Sequence, residues 1–147
     1  MKILALDPAT KTGWAHSNGK SGVWDFTIKK DESPGIRLLK FRNKLKDVNK
    51  FYGIDLVAYE TPRGFGHWNA LSLHSKFAGI IEEFCAEFDI LCKGYVATAI
   101  KMHATLNGRA SKEEMVSRAE FKFGKVIDDN HADALWILDL AVKDFKQ

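Results

Sequence analysis

Four carboxylates stand where a solvated surface would not put them. Asp7 follows the apolar run ILAL (3–6) and precedes Pro8, while Glu60 closes LVAYE (56–60) just before Thr61 and Pro62. Asp129 and Asp133 lie in DDNHADALWI (128–137). Some have ordinary explanations when taken alone. An Asp before Pro can cap a turn, and Asp128 and Asp129 suit the N-cap and first turn of a helix, where free N–H groups meet the positive end of its dipole. For Asp128 that is the preferred account. A Glu ending an apolar strand has little turn chemistry to offer. Asp133 would share a helical face with Ile137 and Leu140, and a carboxylate on such a stripe is rare without a partner.

Gathered in one partly dry cleft, such groups repel one another and their pKa values rise, a penalty that divalent cations remove. Mg²⁺ takes hard oxygen ligands and keeps several waters, which suits a few carboxylates plus a substrate phosphate. Two such ions roughly 4 Å apart can activate water and stabilise the leaving oxygen of a phosphodiester. The chemistry in prospect is metal-dependent phosphodiester hydrolysis.

To bring the four together, the chain must form an α/β layered domain with a mixed five-stranded sheet. KILALD reads as a strand buried on both faces; GWAHS and GVWDFTI follow across the turn Asn18–Ser21 as an antiparallel meander. A helix opens at Ser33-Pro34-Gly35, with Ser33 as N-cap and a stripe of Ile36, Leu39, Leu45, Val48 and Phe51. IDLVAYE is the fourth strand, parallel to the first if Asp7 and Glu60 are to emerge at one edge. A second helix over about Asn69 to Phe88 turns Leu73, Phe77, Ile80, Ile81 and Phe84 inward, and ILCKGYV is the fifth strand. Two helical pieces then flank Asn107-Gly108-Arg109. The second opens on the capping-box pattern SKEE (111–114), and a last helix starts near Asp128.

The 147 residues suit one domain, 1–147, with 46% hydrophobic and 28% charged content, and no linker, repeat or low-complexity tract interrupts them. Net charge is only +3, yet Lys and Arg cluster between Lys29 and Lys50 and between Lys93 and Lys125. A basic surface around an acidic pocket suits a polyanion, although solvated helix faces explain most of these lysines. No apolar run approaches the roughly 20 residues of a membrane span, and no signal peptide precedes the first strand. The expectation is a cytoplasmic, non-secreted protein. Its Cys85 and Cys92 read as reduced thiols in apolar surroundings without the spacing of a zinc site.

In this order, ILALDPATKTGWA (3–15), LVAYE and DDNHADALWI resemble the three signature blocks of RuvC-type Holliday-junction resolvases, of the ribonuclease H-like nuclease superfamily. IKMHATLNGRASKEEM (100–115) is similar to the family's basic helix-turn-helix stretch, and the compact length is closest to phage-encoded members. The resemblance implies a ribonuclease H-like fold and Mg²⁺-dependent cleavage of four-way or other branched DNA. It also implies two ions per site, with Mn²⁺ as a substitute, and a homodimer in a bacterial or phage-infected cell with one site per strand cut. Asp7, Glu60 and Asp133 match the metal ligands of the first strand, fourth strand and last helix. The fourth ligand falls to Asp129 or to a water held by Asn130, which occupies the family's usual position three before the last aspartate; Asp129 is preferred. His131, two before Asp133, points elsewhere, toward the surface or a supporting role.

Lys101 and Lys112 match family lysines that contact phosphate near the scissile bond, where a fixed cation stabilises charge building in the transition state. Arg109 can grip backbone phosphate. The loop after Glu60 offers Arg63 as a further DNA contact and Phe65 as the aromatic that stacks on opened bases, with Trp68 as its rival; either aromatic can instead fold the loop onto the core. Flap or Y-fork debranching uses the same chemistry. An inactive branched-DNA-binding domain is the alternative from another class, against which three retained carboxylates speak. Actin-like and sugar-kinase folds share a similar first hairpin but run far longer.

Overall fold

The computed structural model describes residues 1–63 and 68–146. Strands β1 (Ile3–Asp7), β2 (Lys11–His16) and β3 (Ser21–Asp25) come first, then α1 (Gly35–Phe51), β4 (Leu56–Glu60), α2 (Trp68–Glu87) and β5 (Leu91–Tyr95). Three helices follow: α3 (Ala97–Thr105), α4 (Lys112–Phe123) and α5 (Asp129–Asp144). The sheet order is β3-β2-β1-β4-β5, antiparallel among the first three strands and parallel for β1–β4 and β4–β5. This is the mixed five-stranded sheet flanked by helices that the sequence predicts. No helix among the described residues is long and apolar enough to cross a membrane.

β1 and β4 are central, so both of their faces are covered. Ile3, Ala5, Leu56 and Ala58 face the layer of α3, α4 and α5, while Leu4, Leu6, Val57 and Tyr59 face α1 and α2. That double burial is why both strands read as unbroken apolar runs. On the α1/α2 side, Phe41 and Phe77 stack with centroids 4.2 Å apart. On the other, α5 packs across β1 and β2.

Several local details depart from the sequence reading. β2 starts at Lys11, two residues before the GWAHS strand of the sequence reading, so the β1–β2 turn is only Pro8–Thr10 and Gly13 lies opposite Asp7. Thr12 closes the turn itself, its hydroxyl donating to the Ala9 carbonyl at 2.6 Å and accepting the Ala9 N–H at 3.2 Å. β3 stops at Asp25, whose carboxylate takes the Thr27 N–H and hydroxyl and draws the chain off the ladder. Pro34, not Ser33, holds the N-cap position of α1; the Ser33 hydroxyl receives the Gly35 N–H at 3.3 Å and its carbonyl the Ile36 N–H at 3.0 Å. The buried stripe of α1 is Phe41, Leu45 and Val48, leaving Leu39 and Phe51 exposed, because the Phe41–Phe77 stack sets its rotation. Cys92 is exposed on β5, an edge strand, while Cys85 is buried. Within α2, Phe77, Ile81 and Phe84 are core residues. The cap on α4 forms as expected, Ser111 accepting the Glu114 N–H at 3.1 Å.

Candidate metal centre

The parallel register of β1 and β4 sets Leu6 opposite Tyr59, so Asp7 and Glu60 end neighbouring strands at one edge of the sheet. α5 begins at that same edge and brings Asp133 over it. One carboxylate oxygen from each of Asp7, Glu60 and Asp133 lies within 4.8 Å of the other two. Asp7 is buried and the other two half-buried.

How α5 comes so close is settled by a glycine. A Cβ on Gly13 would fall 1.9 Å from the carbonyl oxygen of Asn130 and 2.9 Å from the His131 nitrogen. Only a residue without a side chain lets the start of α5 lie against β2 beside Asp7. The helix start is secured from its other side by Asp128, the N-cap, whose carboxylate accepts the His131 N–H at 2.8 Å. Asp128 is thus a capping residue, as its sequence position suggests.

His131 is buried, so of the surface and supporting roles open to it the structure gives the supporting one. Its Nδ1 accepts the Ile127 N–H at 3.0 Å, so the ring proton sits on Nε2 and is donated to the Ser21 hydroxyl at 2.8 Å. Burial lowers its pKa, opposed by Asp128, and the neutral ring ties α5 to β3.

Electrostatics show what the cluster lacks. Burial first, then Glu60, Asp133 and Asp129 in turn, raise the Asp7 pKa well above the ordinary carboxylate range. Asp133 is pushed up to about 7 by burial, Glu60 and Asp129, against the pull of Lys101 and Lys112. Burial also raises Glu60, while His74, Arg63 and Lys101 oppose it. Among the described residues, no hydrogen-bond donor serves any of these three carboxylates. Three converging, donor-free oxygen ligands form the hard, anionic set that a divalent cation takes, so the residues fit a metal.

Asp129 stands beside this trio rather than within it. Its carboxylate lies 3.7 Å from the Lys112 ammonium, whose side chain is 82% exposed. Lys101, half-buried on α3, and Arg63, exposed after β4, bring positive charge toward Glu60. Arg109 is exposed in the α3–α4 turn. Phe65 lies outside the described residues. Trp68, at the start of α2, is 75% exposed, clear of the core.

Sequence reasoning missed two residues here. Gly13 opens the GWAHS strand with no local mark of a special role, and only the tertiary approach of α5 discloses it. His74 of α2 donates from Nε2 to the Glu60 main-chain carbonyl at 2.8 Å. This carbonyl is at the end of the β4–β5 ladder, so His74 fastens α2 to the strand end that carries Glu60. A polar residue between Leu73 and Phe77 on an inward-facing helix was the available signal.

The fold and the cluster together define the class: an α/β domain on a mixed five-stranded sheet, with three carboxylates gathered at one edge. The solved structure of T. thermophilus RuvC in complex with a Holliday junction substrate matches with a TM-score of 0.73 at 18% identity, covering 93% of this chain and 90% of that one. A Thermus thermophilus RuvC structure matches with a TM-score of 0.72 at 19% identity, over the same shares. The yeast mitochondrial Holliday junction resolvase Ydc2 matches with a TM-score of 0.64 at 10% identity, over 98% of this chain and 81% of that one. No protein-family model and no curated protein sequence matches the chain. The chain has the RuvC fold.

Proposed function

We propose that this chain is a divalent-metal-dependent endodeoxyribonuclease that resolves four-way DNA junctions, acting as a single domain in a homodimer. The observation that carries the reading is the trio of mutually close carboxylates, with no hydrogen-bond donor among the described residues, at one sheet edge of a RuvC fold. Asp7, Glu60 and Asp133 hold the metal, with Asp129 as the nearest further carboxylate. Mg²⁺ is the expected ion, two per site, with Mn²⁺ able to replace it; when bound, it supplies Lewis acidity to the phosphodiester and to the attacking water.

The chain's own groups do the rest. Lys101 and Lys112 neutralise nonbridging oxygens around the scissile phosphate, and the Lys112–Asp129 contact places that cation at the rim of the cluster. Arg63 and Arg109 hold flanking backbone phosphates without reading sequence. An aromatic of the β4–α2 connection, Phe65 or the exposed Trp68, stacks on bases opened at the branch point.

The test is cleavage of end-labelled four-way, three-way, flap and linear duplexes with Mg²⁺ and with Mn²⁺. Paired symmetrical nicks in the four-way substrate support resolution. Equal cutting of flaps and forks turns the reading into general debranching. Cleavage that survives Asp7→Asn sinks the metal-nuclease assignment, and binding without any cutting leaves a branched-DNA-binding domain.

A further inference from the structure

Two cavities, one beside the end of β4 and one beside the start of α2, each carry cations and no carboxylate among their described lining residues. One, of about 300 Å³, contains Arg63 and Lys101 and belongs to the site already described. The other, of about 400 Å³, lies between the start of α1 and the first half of α2 and contains Arg37, Leu38, Asn69, Ser72, Leu73 and Lys76. By contrast, the cavity over α4 and the start of α5 sets Lys112 among four carboxylates, Glu113, Glu120, Asp128 and Asp129.

The second cation-only cavity is at the catalytic edge of the sheet. β3 runs parallel to β1, because each is antiparallel to β2, so its end lies at the same edge as the end of β1, with β2 between them; Lys11 pairs with Asp25 and Gly13 with Asp7. Phe26 then donates its N–H to the Thr10 carbonyl, in the turn that follows Asp7. Arg37 Nε donates in turn to the Phe26 carbonyl at 3.1 Å. This bond fixes the guanidinium on the turn side of α1 and, among the described residues, leaves its two terminal nitrogens, with up to four N–H groups, for an anion. From the facing helix come the exposed Lys76 ammonium, the Ser72 hydroxyl and the Asn69 amide. Leu38 and Leu73 make the wall apolar, suiting the sugar of a nucleotide better than free water.

We propose that this cavity receives a backbone phosphodiester of the same DNA whose scissile phosphate meets the acidic cluster, held chiefly by Arg37 and Lys76. The inference rests on the nuclease reading and extends it. The strand passes the cation side of both cavities, on either side of the Glu60 strand end, and the second contact fixes the angle at which one arm leaves the branch point.

The experiment measures binding of a labelled four-way junction in Ca²⁺ across a salt series, with wild type, Lys76→Gln and the Arg37→Gln/Lys76→Gln double variant. Removing both cations is expected to weaken binding about tenfold at moderate salt and to flatten the log–log salt slope by nearly two. Lys76→Gln, which removes no hydrogen bond of the fold, should flatten it by about one. Phosphate-ethylation interference should show one or two phosphates on an arm that matter to wild type and no longer matter to the double variant. If wild type binds and cuts but the variants keep its slope and interference pattern, the cavity is no DNA site and the nuclease reading stands. If wild type neither binds nor cuts branched DNA, both fall together.

Discussion

Asp133 is held at a free-energy cost that the fold alone does not repay. It sits above buried Ile137 and Leu140 on the sheet-facing side of α5, within reach of two other carboxylates and with no donor among the described residues. Its folded pKa of about 7 stands above the ordinary 3.8, so folding takes up a proton between those values. Its contribution to the stability of the metal-free protein is therefore undiminished below that window and falls as pH rises through it. Two outcomes follow. Asp133→Asn should raise the melting temperature of the metal-free protein near neutral pH, because a repelling charge is gone, while lowering cleavage by about a hundredfold or more. Millimolar Mg²⁺ should stabilise wild type more at about pH 8 than at about pH 5, and should stabilise the variant far less. Differential scanning fluorimetry with and without EDTA reads both, and a Mg²⁺ response equal in the two proteins would count against metal binding here.

At the scale of elements, closeness matters more than composition. Gly13→Ala keeps a strand-compatible residue, yet its methyl group would collide with the Asn130 carbonyl. The start of α5 must then lift away from β2, taking Asp133 with it. The expected loss is about 1–3 kcal/mol of stability by urea denaturation, with a weakened Mg²⁺ response in the same variant. At the far side of α5, Asp139 joins three helices, accepting from His103 of α3 at 2.7 Å and Lys122 of α4 at 2.9 Å. Burial pushes its pKa up, but those two bonds prevail and hold it below 3.8. That contribution is complete above the unfolded pKa and fades as pH falls through the folded one. Asp139→Asn should thus cost about 1–2 kcal/mol near neutral pH, with the deficit shrinking in acid. A deficit that stays constant down the acid limb would mean that packing, not charge, was lost. Both sites also mark what was hidden in the sequence. The strand ends at Asp7 and Glu60 and the helical face of Asp133 were legible, since each follows from a local period of two or 3.6. Gly13, His74 and the burial of His131 depend on which elements touch, and no local period encodes that. The stripe on α1 held at Leu45 and Val48 but not at Leu39 and Phe51, for the same reason: an aromatic stack of Phe41 with α2 set the face that turned inward.

For the whole molecule, the order of strands explains why one edge collects so much. β1, β3, β4 and β5 all run toward it, and α1, α2, α3 and α5 all start near it. The described residues of one chain gather a single cluster of metal-ligating side chains, at that edge. Resolving a four-way junction takes two cuts on opposed strands, so the proposed function needs two copies on one substrate, most simply a twofold dimer. Mixing can test this. When wild type and Asp7→Asn are co-refolded in equal amounts, random pairing makes about half of the dimers hybrid, each with one working site. A supercoiled plasmid bearing an extruded cruciform then reports the outcome: two coordinated cuts give linear DNA, one gives a nicked circle. Hybrids should raise the nicked fraction at the expense of the linear one, beyond what diluting wild type alone produces. If the inactive chain only slows the reaction and leaves the ratio of nicked to linear product unchanged, each copy works alone and the paired-site part of the proposal is wrong.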